Sequence, residues 1–415
     1  RKSLSGAVKA GDVVRLQEIN KAMRLAQIPR AQAALVSLNP EDGALRAVVG
    51  GFAYSASNFN RATTAKRQPG SSFKPFVYTA SFERGYSPSS IVLDAPVVFK
   101  DRKGNVWRPK NDRGGFMGPI RLREALVQSR NLVSVRLLDG IGVNYARDYI
   151  TRFGFSKDSL PANLSMSLGT ASLTPMSVAR GYTVFANGGY LVDPYFIRSI
   201  TDTDGIVIAY THPKRACALC PERLAGDVSK ALVVDGFDLS ADGLGRNDTA
   251  QNTGMFDPAF VGPPLTALAP QTIDPRNAFL ISDMMLDVVR RGTAVEAKVL
   301  NRPDIGGKTG STNDHRDAWF SGFGGNLVTT VWVGRDDYKP LGYGEYGGRA
   351  ALPIWIDYMR VALDGVPPKN MEPPAGIIKS ANGDYFKEEQ YDLEMMQVPS
   401  DESFQQQTEQ AYDIF

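Results

Sequence analysis

Residues 31–51 read AQAALVSLNPEDGALRAVVGG, and this stretch sets the predicted fold. Two apolar runs flank the turn residues 39–43, which is the pattern of a β-hairpin. A second hairpin is predicted far along the chain, where residues 317–323 would pair with residues 327–334. If these strands share one antiparallel sheet, the two ends of the domain meet there.

Between the two hairpins the pattern is mostly helical. Helices are predicted over 118–129, 131–140, 174–187 and 277–291, with Thr174 as an N-cap. A sheet built from the first and last segments, with a helical middle, predicts an α+β fold in which helices flank an antiparallel β-sheet.

Composition and charge narrow the functional classes. The 415 residues are 43% apolar and 22% charged, enough for a sizeable core in one large domain or two. A net charge of +3 argues against nucleic acid or a membrane surface as the main partner. A small or peptide-like substrate fits this balance better.

The two ends of the chain differ from its middle. Residues 1–30 are polar and basic, so we interpret them as a linker or the remnant of a preceding domain. The main domain is predicted over 31–370, with an irregular insertion at 196–275. Residues 371–415 are predicted to form an acidic tail, since nine acidic residues stand against one lysine from position 383 onward.

The chain contains no apolar run that approaches the roughly 18 residues of a membrane span. It opens with Arg1 and lacks the apolar core of a signal peptide. We interpret it as part of a longer protein, so the missing span does not show that the native protein lacks a membrane anchor.

The only cysteines are Cys217 and Cys220, and the only histidines are His212 and His315. Zinc usually requires four good ligands, so His212 near the cysteine pair makes a weak case for a metal. Pro221 and a loop-like flank do not fit a thioredoxin-like redox pair. A structural disulfide or two thiols is the prediction, and no metal site is expected.

Residues 68–75, QPGSSFKP, place Ser71 and Lys74 three positions apart at the start of a helix-like run. A helix N-terminus favours developing negative charge on Ser71. A serine attacks only when a base takes its proton, and a lysine serves when burial and nearby cations lower its pKa. Taken alone, this S-x-x-K pattern is better explained as a surface serine and lysine.

The second candidate is the segment 129–131, at the joint between two predicted helices. Ser129 could relay a proton between Lys74 and a leaving group, while Asn131 could hydrogen-bond a substrate amide. On its own, Asn131 is better explained as the cap of the helix that follows.

The third candidate is the segment 306–312, GGKTGST, just before the predicted strand at 317–323. A lysine, flanking hydroxyls and glycines on an edge strand would form a cradle for a carboxylate. A phosphate-binding loop is excluded, because that pattern requires a glycine where Arg302 stands.

Together these elements resemble the set S-x-x-K, S-x-N and K-T-G of penicillin-binding proteins and class A β-lactamases. The resemblance extends to the segments 60–63, 107–111, 167–169, 174–175, 186–189, 291–294 and 317–322. Over most of residues 31–370 the chain resembles the transpeptidase half of class A, bifunctional penicillin-binding proteins of type 1a. This implies a serine β-lactamase/transpeptidase-like fold, with the glycosyltransferase half outside this chain.

By this resemblance, Ser71 is acylated, Lys74 is its base and Ser129 completes the catalytic set. The implied substrate- and β-lactam-binding residues are Ser71, Ser129, Asn131, Lys308, Thr309, Gly310 and Ser311. The backbone N–H groups of Ser71 and Ser311 would form the oxyanion hole.

The resemblance also implies partners and a location. The partners are peptidoglycan stem peptides, with a D-Ala-D-Ala donor and an amine acceptor, and β-lactam antibiotics, with cell-wall synthesis proteins as further candidates. No nucleic acid, metal or organic cofactor is implied. The implied location is the periplasmic face of the inner membrane, with a single-pass membrane anchor of the full-length protein expected outside this chain. This location suits an oxidised cysteine pair.

Several alternatives share the acylation step. A fast class A β-lactamase needs a glutamate that activates water, yet only Glu222 and Glu296 occur between Asn131 and Lys308, and neither has an asparagine four residues on. A transpeptidase is therefore predicted over a lactamase, while a carboxypeptidase or a non-catalytic β-lactam sensor stays open. A histidine-based hydrolase is disfavoured by the poor contexts of both histidines.

Overall fold

A computed structural model describes residues 8–100, 104, 106–112, 114–217, 220, 233–234, 237–238, 267–380 and 383–391. The strands are β1 (Arg15–Ile19), β2 (Ala22–Ala26), β3 (Gln32–Leu38), β4 (Leu45–Val49), β5 (Ile91–Asp94), β6 (Phe99–Lys100), β7 (Val106–Trp107), β8 (Gly118–Arg121), β9 (Ser199–Thr201), β10 (Val207–Tyr210), β11 (Val233–Val234), β12 (Phe237–Asp238), β13 (Gly306–Ser311), β14 (Asp317–Gly324), β15 (Leu327–Gly334), β16 (Ile377–Lys379) and β17 (Tyr385–Lys387). The α-helices are α1 (Lys74–Phe82), α2 (Leu122–Val127), α3 (Asn131–Ile141), α4 (Val143–Ile150), α5 (Pro175–Ala186), α6 (Pro275–Arg291), α7 (Gly347–Ala350) and α8 (Leu352–Ala362).

Five strands form the central antiparallel sheet in the order β13-β14-β15-β3-β4. Leu35 of β3 lies opposite Val331 of β15, and Lys308 of β13 lies opposite Ser321 of β14. The first and last segments of the domain therefore meet in one sheet, and the α+β prediction is confirmed. Strand β13 lies at the edge of this sheet.

Helices cover both faces of the sheet, and every residue of β14 is buried. On one face, the Phe320 ring packs edge-on against Trp355 of α8, with 4.9 Å between centroids. Phe323 points to the opposite face because side chains alternate along a strand. There it lies with Leu286 of α6 beside Gly306.

An aromatic cluster holds α1 in place. The Phe76 ring lies 4.9 Å from Phe153, 5.0 Å from Phe155 and 5.5 Å from Tyr182, measured between ring centroids. All four side chains are buried. Removal of a buried phenylalanine ring lowers the free energy of unfolding by about 3–5 kcal/mol. The packing of Phe76 therefore stabilises the position of α1, the helix that begins at Lys74.

The helices predicted over 131–140, 174–187 and 277–291 are confirmed as α3, α5 and α6. Thr174 caps α5 as predicted, since its Oγ1 accepts from the Ser177 N–H at 3.1 Å. The helix predicted from 118 begins later, because Gly118–Arg121 pairs with β5 instead. Gly118 has φ +67°, outside the helical region.

Residues 377–391 differ from the predicted acidic tail. Phe386 is buried, and Tyr385 packs edge-on against Phe279 of α6 at 5.0 Å. Asp384 pairs with Arg121 at 2.7 Å and also with Arg123. The acidic composition predicts a segment surrounded by solvent. In the structure, the Asp384 carboxylate forms ion pairs with two arginines of the main body. Residues 392–415 lie outside the described residues.

Other predicted segment boundaries stay predictions. The presumed linker 1–30 contains the exposed hairpin β1–β2. In the predicted insertion, β9 and β10 form a hairpin around residues 202–205. Much of that insertion, including Glu222, lies outside the described residues. Among the described helices, none has both the length and the apolar composition needed to cross a bilayer.

Candidate active site

One cleft brings the three predicted motifs together. Its volume is about 970 Å³, and its lining includes Ser71, Ser129 and Ser311. Lys74 and Lys308 are fully buried beneath it. Their Nζ atoms lie 3.4 Å and 2.8 Å, respectively, from Ser129 Oγ. The fold therefore unites residues that are more than two hundred positions apart in the sequence.

The turn that carries Ser71 is anchored from two sides. Residues 70–73 form a 3-10 turn that continues into α1. Ser72 Oγ donates to the Lys308 carbonyl of β13 at 3.1 Å, and Tyr182 of α5 donates its hydroxyl to the Ser72 carbonyl at 2.6 Å. These contacts hold Ser71 against the edge strand.

Gly70 allows this turn to lie directly against β13. Its φ is +55°, and a Cβ at this position would lie 2.3 Å from the Ser311 carbonyl oxygen. Gly310 plays the same part on the strand, since a Cβ there would lie 2.2 Å from the Pro69 carbonyl oxygen. The two glycines permit the close approach that places Ser71 beside Ser311.

The Lys74 amine contacts the second motif. Its Nζ lies 2.8 Å from the Ser129 carbonyl oxygen and 2.8 Å from Asn131 Oδ1. Burial lowers the pKa of Lys74 to about 7, with a smaller lowering by Arg130, while the Asp112 carboxylate acts in the opposite direction. At neutral pH a large share of Lys74 is therefore an uncharged amine that can accept a proton.

Ser129 lies between the two lysines. Its φ is +56°, in the left-handed region that few residues other than glycine adopt. Its hydroxyl accepts from Lys308 Nζ at 2.8 Å and faces Lys74 Nζ at 3.4 Å. This hydroxyl therefore connects the S-x-x-K and K-T-G elements, as a proton relay would require.

Asn131 is the first residue of α3, and its side chain does not cap this helix. The Oδ1 atom accepts from Lys74, while Nδ2 donates to the Lys110 carbonyl and to Asp112 Oδ1, each at 2.9 Å. The alternative of a simple helix cap is therefore wrong. A contact between Asn131 and a substrate amide stays a prediction.

The predicted carboxylate cradle lies along β13. Thr309 and Ser311 line the cleft, and each hydroxyl contacts a neighbouring residue. Thr309 Oγ1 lies 2.8 Å from Thr293 Oγ1, and Ser311 Oγ accepts from the Gly347 N–H at 2.9 Å. The roles of these residues and of the oxyanion hole stay predictions.

The sequence interpretation missed a part of the cleft. Its lining also includes Asn111, Asp112, Thr293, Asn313, Asp314, His315, Tyr343, Tyr346 and Arg349. Asn111 belongs to the segment 107–111, whose only signal is its family resemblance, and Asp112 directly follows this segment. The aromatic and charged residues at 343–349 belong to no motif and reach the cleft only through folding.

The cysteine pair lies apart from this chemistry. Neither cysteine lines the cleft. Cys220 Sγ lies 3.7 Å from the Cys217 carbonyl oxygen, and a disulfide between them stays a prediction. Within the described part of the chain, no group of three or more His, Cys, Asp or Glu side chains is arranged to hold a metal.

A second cleft of about 590 Å³ lies beside α6 and contains none of the motif residues. Its walls carry ion pairs, including those of Arg123 with Asp283 and Asp287. The motif residues therefore lie at the first cleft and not at the second. A buried lysine three residues after a serine, with a second serine between two lysines, defines a serine acyl-transfer site of the penicillin-binding class.

Comparisons with known proteins agree with this class. The model of the penicillin binding protein transpeptidase domain matches residues 33–218, so this part of the chain belongs to that family. It is 48% identical over 374 residues to penicillin-binding protein 1A of Pseudomonas aeruginosa, and 44% identical over 384 residues to that of Neisseria gonorrhoeae. These alignments cover 89% and 92% of this chain but only 45% and 42% of the relatives. The chain thus spans less than half of their length.

A solved structure gives the same result. The crystal structure of penicillin-binding protein 1A from Haemophilus influenzae matches with a TM-score of 0.78 and 36% identity, over 91% of this chain and 56% of that one. The resemblance predicted from the motifs, and the transpeptidase-like fold, are therefore confirmed.

Proposed function

We propose that this chain is a peptidoglycan D,D-transpeptidase that works through an acyl-enzyme on Ser71. The observation that carries the proposal is the contact of Ser129 Oγ with both Lys74 and Lys308, at a cleft whose lining also includes Ser71. It supports a nucleophile, a base, a relay and a carboxylate-binding cation acting together.

Acylation begins at Lys74. In its neutral form Nζ accepts the Ser71 hydroxyl proton, and Ser71 Oγ attacks the carbonyl carbon between the two terminal D-alanines of a stem peptide. The backbone N–H groups of Ser71 and Ser311 stabilise the oxyanion that forms. Burial of Lys74 supports this step because it disfavours the charged amine.

The C–N bond then breaks, and the D-alanine amine leaves with a proton delivered through Ser129. An ester between Ser71 and the donor peptide remains. An amine of a neighbouring peptidoglycan strand attacks this ester and gives up a proton to the Lys74–Ser129 pair. The bond between Ser71 Oγ and the acyl carbon then breaks, and Ser71 Oγ takes a proton back from this pair. The product is a new amide cross-link, so atoms and charges balance.

The terminal carboxylate of the donor would lie against Lys308, Thr309 and Ser311. A β-lactam carries a similarly placed carboxylate and a strained amide. Attack by Ser71 opens the ring, but the leaving amine remains tethered to the acyl group. Covalent inhibition by β-lactams follows from the same proposed chemistry.

Hydrolysis receives little support from the remaining carboxylates. Glu296 is exposed on a 3-10 turn and does not line the cleft. Asp112 and Asp314 do line it, but Asp112 accepts a hydrogen bond from Asn131, and Asp314 pairs with Arg316 at 3.2 Å. A slowly hydrolysed acyl-enzyme that awaits an amine acceptor is therefore the better proposal.

The native setting is also part of the proposal. The similarity to penicillin-binding proteins 1A supports a bifunctional cell-wall synthase, with a glycosyltransferase domain and a membrane anchor outside this chain. The active site would act at the periplasmic face of the inner membrane, beside other cell-wall synthesis proteins.

Intact-mass spectrometry with benzylpenicillin tests the nucleophile. We expect an adduct of one drug mass that persists for hours, and no adduct in Ser71→Ala. Ser172→Ala is a matched control, because Ser172 is exposed and outside the cleft. An adduct in Ser71→Ala would refute the assignment, and rapid loss of adduct with drug consumption would indicate a β-lactamase.

A second measurement separates a transpeptidase from a carboxypeptidase or a sensor. A stem peptide that ends in D-Ala-D-Ala is incubated with an amine acceptor, and the released D-alanine and cross-linked product are quantified. We expect both to form in equal amounts. D-alanine release without cross-linking would indicate a carboxypeptidase, and no release would indicate a sensor.

A further inference from the structure

Asp112 lies at the wall of the cleft directly beside the second motif. It is an exposed residue, yet its Oδ1 accepts from the buried Asn131 Nδ2 at 2.9 Å. None of the three motifs includes this residue.

The orientation follows from the three partners of the Asn131 amide. Lys110 contributes a carbonyl oxygen and Asp112 a carboxylate oxygen, and both can only accept hydrogen bonds. They therefore bind Nδ2 and leave Oδ1 directed at Lys74 Nζ, at 2.8 Å. Rotation of the amide by half a turn would place its oxygen against two other oxygens, which is unfavourable.

The segment that carries Asp112 is itself fixed to α3. Asn111 Oδ1 accepts from the backbone N–H groups of Asn131 and Leu132, at 2.9 Å and 3.3 Å. Asn111 Nδ2 donates to Asp94 at 2.9 Å, and the fully buried Asp94 pairs with Arg130 at 2.7 Å. This network holds the Asp112 backbone in register with the amide.

We propose that Asp112 is a positioning residue that fixes the Asn131 side chain with its oxygen toward Lys74. This inference rests on the proposed function. The Lys110 carbonyl belongs to the backbone, so Asp112 is the only one of the two acceptors that a substitution can remove. Without it, Asn131 can turn, and the Lys74 amine loses an acceptor that aligns it with Ser71 and Ser129.

Two substitutions separate orientation from charge. Asp112→Ala removes both the acceptor and the negative charge. Asp112→Asn removes the charge but keeps a side-chain oxygen that can accept from Asn131 Nδ2. Asp139→Ala is a matched control. Asp139 is an exposed carboxylate on α3, the helix that carries Asn131, and it does not line the cleft.

The test is the acylation rate constant with benzylpenicillin, followed by intact mass at several pH values. At the alkaline plateau we expect Asp112→Ala to be slower by about tenfold, the value of one hydrogen bond, and Asp112→Asn to stay within about threefold of the parent. Asp139→Ala should match the parent. Thermal melting confirms that each variant is folded.

The dependence of the acylation rate constant on pH gives a second measurement. A loss of folding stability would not shift the midpoint of this dependence. The charged groups around Lys74 are Asp112, Asp94 and Arg130, with Lys308 beyond Ser129. Because Asp112 raises the pKa of Lys74, both Asp112 variants should shift the acidic limb of the profile to lower pH.

The outcomes are distinct. If Asp112→Ala acylates at the parent's rate on the alkaline plateau, the inference is wrong. It is also wrong if Asp112→Asn loses as much rate as Asp112→Ala, because the effect would then come from the charge alone. If the parent protein forms no adduct at Ser71, the proposed function fails instead.

Discussion

Lys308 Nζ donates to Ser129 Oγ across 2.8 Å, joining two motifs that are 179 residues apart in the chain. Through this hydroxyl, the lysine that would hold the substrate carboxylate also contacts the proposed proton relay, Ser129. Binding of a carboxylate by Lys308 would therefore change the partners of Ser129, and the two roles should not be separable by mutation.

Removal of the Lys308 amine should impair acylation more than it impairs folding. We expect Lys308→Ala to lower the second-order rate constant for benzylpenicillin by about 10- to 100-fold, because a hydrogen bond to a charged group contributes that much. Stopped-flow kinetics with a fluorescent penicillin measures this. Lys298→Ala, at an exposed lysine of a 3-10 turn, is the control, and equal losses in both variants would contradict the prediction.

The acylation rate should follow the protonation of Lys74. Its pKa is lowered to about 7, chiefly by burial, and only the neutral amine accepts the serine proton. The rate should therefore rise as pH increases through about 7 and level off above it. Lys74→Arg should be inactive throughout, since a guanidinium does not lose its proton. A flat profile, or an inflection near the ordinary lysine pKa of about 10.4, would refute this.

Gly70 should tolerate no side chain. A Cβ there would lie 2.3 Å from the Ser311 carbonyl oxygen and would push the Ser71 turn away from β13. Since a displacement of about 1 Å can cost about 100-fold in rate, we expect a loss of this order for Gly70→Ala. Gly85→Ala is a matched control, because Gly85 also has a positive φ but nothing within 4 Å of its Cβ position. If both variants acylate equally well, close approach is not the reason for this glycine.

The buried pair of Asp317 and Arg67 should contribute to stability. Asp317 is fully buried, 2.7 Å from Arg67 Nε and 2.9 Å from Trp332 Nε1. Loss of one charge from a buried pair costs about 3–5 kcal/mol, so Asp317→Asn should lower the free energy of unfolding in urea by about this amount. Arg360→Ala, which breaks an exposed pair with Asp357, should change it by at most about 1 kcal/mol. Similar values for the two variants would contradict the prediction.

Much of the fold could be predicted because its elements carry strong local patterns. The hairpin at 31–51 and the helices α3, α5 and α6 combine apolar periodicity with clear turn or capping residues. The local pattern of segment 118–121 predicts helix, but the segment forms a strand because its pairing with β5, a long-range interaction, overrides the local preference. The acidic charge of segment 377–391 predicts a tail, whereas Tyr385 packs against Phe279 of the main body and Phe386 is buried.

The sequence by itself determined the chemistry of the site: a serine and a lysine three residues apart, a second serine, and a lysine between glycines and hydroxyls. These identities are local, so spacing and residue type could reveal them. Only the tertiary structure decided that Ser129 lies between Lys74 and Lys308, that Lys74 is buried enough for its pKa to fall to about 7, and that Asp112 orients Asn131. Distances and desolvation depend on which distant segments pack together, and no short stretch of sequence encodes that packing.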